Sequence, residues 1–76
     1  MNFIFNENAC KAIINNCNKR LASIAREISL LEHDRDLAIE PEVRKAIEAI
    51  LANRQLNKIS EEKKIWEMQQ HLNNRS

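Results

Sequence analysis

The sequence predicts an all-α protein, an antiparallel two-helix hairpin of coiled-coil type that a second copy or a partner completes. Three observations predict it. An apolar row runs from Cys10 through Ile14, Cys17, Leu21, Ile24 and Ile28 to Leu31 at alternating four- and three-residue steps, an unbroken heptad seam. A single proline, Pro41, follows a short polar stretch and suits the first position of a second helix. Gly and Tyr are absent and aromatics are 4% of 76 residues, whereas tight hairpins and β-rich cores need both.

The elements follow in order. Met1 to Asn8 is a lead in which Phe3, Ile4 and Phe5 are expected to fold back on the bundle end. Asn6 is the expected N-cap, with Glu7 in the first turn where the helix dipole favours an acid. Helix one should span about 7–34. Its seam needs a covering helix, since water penalises a continuous apolar stripe. The connection should span about 35–40. Asp34 and Asp36 weaken the helix by competing for backbone hydrogen bonds, and Pro41 holds Glu40 out of the α region. Leu37 and Ile39 are expected to cover the open end. So short a connection makes the helices antiparallel neighbours.

Helix two should span about 41–73, and its pattern shifts partway. Val43, Ala46, Ile47, Ile50 and Leu51 share a face that next meets Arg54, Asn57, Lys58 and Glu61. Ala49, Ala52, Leu56, Ile59 and Trp66 share another, and Ile65, Met68 and Leu72 return to the first. A continuous helix gripped on two sides explains this. The alternative is a break near Ser60 and a three-helix bundle, with Ser60, Glu61 and Glu62 forming a new helix start.

Size bounds the rest. One domain, 1–76, is all this length supports, and so small a core leaves little net stability. A second chain is the expected supplement. The net charge of +1 with both signs interspersed describes a solvated helical surface, not a nucleic-acid-binding tail. No basic lead precedes Phe3–Phe5, and no run is long enough to span a membrane, so a cytoplasmic chain is expected.

The chemistry-bearing residues point away from catalysis. Cys10 and Cys17 lie about 10.5 Å apart along one helix and cannot bridge each other. Their spacing is not that of a zinc site, so they read as small buried apolar residues. His33 and His71 fall at opposite ends of a hairpin. Asp34, Asp36, Glu40 and Glu42 suit turn and capping roles, with no pocket to converge in. The sequence therefore predicts no enzyme, no metal and no cofactor. It predicts a protein–protein interaction module (an adaptor, co-chaperone or inhibitor) with Leu56, Ile59, Ile65, Trp66 and Met68 meeting a partner or a second copy. The alternative is a hairpin-dimer regulator that binds RNA or DNA through Lys11, Lys19, Arg20 and Arg26. In size and two-helix plan alone the chain resembles the small co-chaperones of type III secretion needle subunits. It equally resembles small phage and plasmid regulators, including hairpin dimers that bind paired RNA loops. Neither resemblance carries a residue role onto this chain.

Overall fold

The computed structural model describes residues 6–74. They form two helices, α1 (Glu7–Leu37) and α2 (Pro41–Asn73), packed side by side as a helical hairpin. The body measures 55 × 20 × 16 Å. Neither helix is long and apolar enough to cross a membrane.

Asn6 caps α1 as expected. Its side-chain oxygen accepts the Ala9 backbone N–H at 2.7 Å, and Glu7 occupies the first turn. The lead phenylalanines lie outside the described residues. At its other end α1 runs through Asp34 and Asp36 to Leu37, a few residues further than the aspartates suggest. Their weak bias loses to helical backbone bonds. The Ala38 N–H closes the last turn on the carbonyls of Asp34 and Arg35, at 3.0 and 3.2 Å, and Arg35 places a cation there.

The connection is only Ala38, Ile39 and Glu40. The Arg44 guanidinium donates to the Ala38 carbonyl at 3.2 Å and ties the bend to α2. Leu37 and Ile39 do not cover the open end; both are exposed, Ile39 at 94%. Three residues leave no slack for Ile39 to turn back, and Leu37 lies off the seam on the last turn of α1.

The second helix is continuous through Ser60, which removes the three-helix alternative. Its inner row is Ile47, Leu51, Arg54, Lys58, Glu61, Ile65, Met68 and Leu72, again at alternating four- and three-residue steps. Leu51, Glu61 and Met68 are buried, while Ile47, Arg54, Ile65 and Leu72 are half-buried. Only Lys58 swings out, and Asn57 beside it is half-buried instead. On α1, Cys10 and Cys17 are wholly buried and Ile14, Leu21, Ile24, Ile28 and Leu31 are half-buried. The seam is therefore apolar at both ends and polar in its middle.

Candidate functional site: a polar seam and an outer apolar stripe

Two features of α2 lie back to back, and the inner one orders the hairpin. Arg20 Nε donates to Glu61 Oε1 at 3.0 Å, and Arg54 Nε lies 2.8 Å from Glu27 Oε2 as an ion pair without hydrogen-bond geometry. Seven residues forward on α1 match seven residues back on α2, so both pairs report one antiparallel register. The pairs have opposite sense: α1 supplies the cation in one and the anion in the other. Lys64 Nζ also approaches Glu61 Oε1, at 3.6 Å.

Cys17 joins the first pair. Its sulfur accepts from Arg20 Nη2 at 3.4 Å, beside the Glu61 carboxylate that the same arginine holds. Burial pushes the thiol above its ordinary pKa, and the neighbouring carboxylate pushes the same way. The Arg20 hydrogen bond, helped by the Cys17 thiol, holds Glu61 below the usual carboxylate range. Glu61 is only 8% exposed and Arg20 caps it from the rim. Arg20, Ser23, Glu27, Arg54, Asn57 and Ser60 line a shallow open groove along this side.

The outer feature starts from the same periodicity. Ala49, Ala52, Leu56, Ile59, Lys63 and Trp66 form a second heptad row, with steps of three and four residues. At 3.6 residues per turn it lies roughly 150° round α2 from the inner row. Helix α1 cannot reach it. Leu56, Ile59 and Trp66 remain 66%, 60% and 60% exposed. Leu30 and Leu37 are exposed on the side of α1 away from α2, and Val43 and Ile50 are exposed beside the seam on α2.

The sequence-predicted partner residues divide between these features. Leu56, Ile59 and Trp66 lie together on the open stripe. Met68 is buried and Ile65 half-buried in the seam against α1, so neither offers a free surface. The basic set of α1 divides as well. Lys11 pairs with Glu7 at 2.9 Å, and Arg20 turns inward to Glu61. Lys19 and Arg26 stay exposed on one outer ridge, two turns apart. His33 lies near the bend and His71 near the far end. Among the described residues, no group of three His, Cys, Asp or Glu side chains could hold a metal ion.

No family model, curated protein or solved structure matches this chain.

The residues that reasoning from sequence missed are Glu27, Arg54 and Glu61. Their signal was present: Ile47–Leu51 and Ile65–Met68–Leu72 keep one heptad phase, and Arg54 and Glu61 fall on it.

Proposed function

We propose that this chain is a small non-enzymatic interaction module that buries the outer stripe of α2 against an apolar helical face. One observation carries the reading. Leu56, Ile59 and Trp66 stand open along one heptad row of a helix whose opposite face is already occupied. Tryptophan is among the residues that most often carry interface energy, and Leu56 and Ile59 extend the apolar row beside it. Contiguous apolar surface of this kind on a small chain marks a binding face.

The groove opposite supports the non-enzymatic part. Arg20 and Glu61 neutralise each other, and Cys17 is buried and held as the thiol, the unreactive form. The two free buried thiols also support a reducing compartment such as the cytoplasm. An adaptor, co-chaperone, inhibitor or small regulator would each use such a face.

The test is the double change Ile59→Asp with Trp66→Asp, read by circular dichroism, light scattering and retention of partner proteins. The expected result is a hairpin with unchanged helicity that has lost its oligomer or its bound protein. An unaltered assembly state and unaltered retention would refute the reading.

A further inference from the structure

We infer that the occupant of the outer stripe is a second copy of this chain, its α2 lying antiparallel to the first about a two-fold axis between Leu56 and Ile59. This rests on the interaction reading above and specifies its partner.

The row is self-complementary in one direction only. With the axis between Leu56 and Ile59, Leu56 meets Ile59 of the other copy. Lys63 then lies over Ala52, and Trp66 over Ala49. The two Leu56–Ile59 contacts fill the centre, and on either side of them a large side chain faces a small one, which fills the space between two helices without a void or a clash. The Lys63 stem covers Ala52 while its ammonium stays in water. From Ala49 to Trp66 the contact runs about 26 Å, five turns of helix.

The flanking charges agree. Antiparallel pairing places Gln55 beside Glu62 of the other copy and Glu48 beside its Gln69, so each carboxylate meets an amide. All four residues are exposed. Parallel pairing would instead stack Lys63 on Lys63 and Trp66 on Trp66, and bring Glu62 beside Glu67, a like-charge contact that disfavours it.

The hairpin also leaves more surface open than a compact fold of its mass. The chain exposes 6063 Å². A compact monomer of its 8.9 kDa mass would expose roughly 4,800 Å². The excess, roughly 1,200 Å², is spread along the whole elongated body, and the stripe is one part of it. Pairing along the long axis recovers part of it without altering the hairpin.

The experiment is a reciprocal exchange on the full chain, read by sedimentation equilibrium and by Trp66 emission across a dilution series. The wild type should show twice the mass of one chain, with emission shifting to the red as dilution separates the copies. Trp66→Ala leaves two alanines facing each other, and Ala49→Trp sets two tryptophans in one space. Each alone should raise the dimer dissociation constant about tenfold or more. The double variant Ala49→Trp/Trp66→Ala restores one large and one small residue at each end, and should return the constant to near the wild-type value. Ala49 and Trp66 both lie outside the α1–α2 seam, and circular dichroism checks that the helices are kept.

A double variant no tighter than the weaker single variant overturns the antiparallel pairing. A wild type that stays monomeric at millimolar concentration overturns the second copy. In that case, loss of a retained protein on Ile59→Asp/Trp66→Asp would show that the interaction reading survives with a different occupant. No retained protein at all would end both.

Discussion

Truncating Leu51 should be the most damaging single change on α2, because Leu51 is the aliphatic side chain that the seam buries most completely. Leu51→Ala removes three carbon groups at about 0.8 kcal/mol each, or about 2.5 kcal/mol before any cavity remains. Core Leu→Ala changes span about 2–5 kcal/mol, and a two-helix seam can close partly over the gap, so the lower half of that range applies. A chain of this size has about 4 kcal/mol of stability at the low end of the usual scale. The loss should lower the melting midpoint by roughly 10–20 °C, at about 4–8 °C per kcal/mol for so small a domain. The assay is circular dichroism at high dilution, where only the hairpin contributes. Leu56→Ala is the control: the same chemistry on the outer stripe, expected to stay within about 0.5 kcal/mol under those conditions. Leu21→Ala and Ile24→Ala, at half-buried positions, should fall between the two. A small effect at Leu51 with a larger one at Leu56 in dilute solution would mean that the inner and outer faces are assigned the wrong way round.

Two further outcomes test the caps and the polar middle. Asn6→Ala removes the acceptor for the Ala9 N–H and should cost about 1 kcal/mol, read in the same melts; no change would mean the cap is not made in solution. Stability should peak between acid and alkaline limbs with separate causes. Glu61 is held below its ordinary pKa of 4.5 by the Arg20 hydrogen bond, so its contribution is complete above 4.5 and is lost as pH falls through the lower folded value. Cys17 is held above its ordinary 9.0 by burial, so its contribution is complete below 9.0 and is lost as pH rises through the higher folded value. Urea midpoints against pH should lose the acid limb in Glu61→Gln and the alkaline limb in Cys17→Ala; limbs unchanged in both variants would show that the cluster does not form.

The first helix was legible almost whole, because Cys10 to Leu31 is an uninterrupted seam and a period of this length has one physical solution. The second was legible as a helix but not as a packed face. Arg54 and Glu61 look like the end of an apolar stripe when α2 is considered alone. They are its continuation once Arg20 and Glu27, one position outside the α1 seam, supply their partners. A row that mixes Leu with Arg and Glu keeps its heptad phase but loses its hydrophobicity, so the phase is recognised as a packed face only through the pairing between helices. The connection misled for a related reason. Leu37 and Ile39 are apolar, and apolar residues are commonly buried, but three linking residues cannot bring them over the bundle end. The outer stripe of Leu56, Ile59 and Trp66 was legible directly, because its period is purely local.

The polar middle also explains why the outer stripe is where it is. A seam of Leu and Ile at every position would pack nearly as well after α2 slid by one heptad. The opposed pairs forbid that. Sliding seven residues one way sets Arg20 against Arg54; sliding the other way sets Glu27 against Glu61. Two like charges meeting in a half-buried seam cost more than the equivalent apolar contacts return, so only one register survives. The gain in register is made by giving up hydrophobic burial between Arg54 and Glu61, the central two turns of α2. Over those same two turns the apolar residues are Leu56 and Ile59, and both face outward. The middle of the hairpin is thus held to α1 by charge and left to be covered from outside by apolar contact. On the proposed reading, a helix built this way gains stability when its outer face is occupied, so the strength of the fold would be coupled to binding.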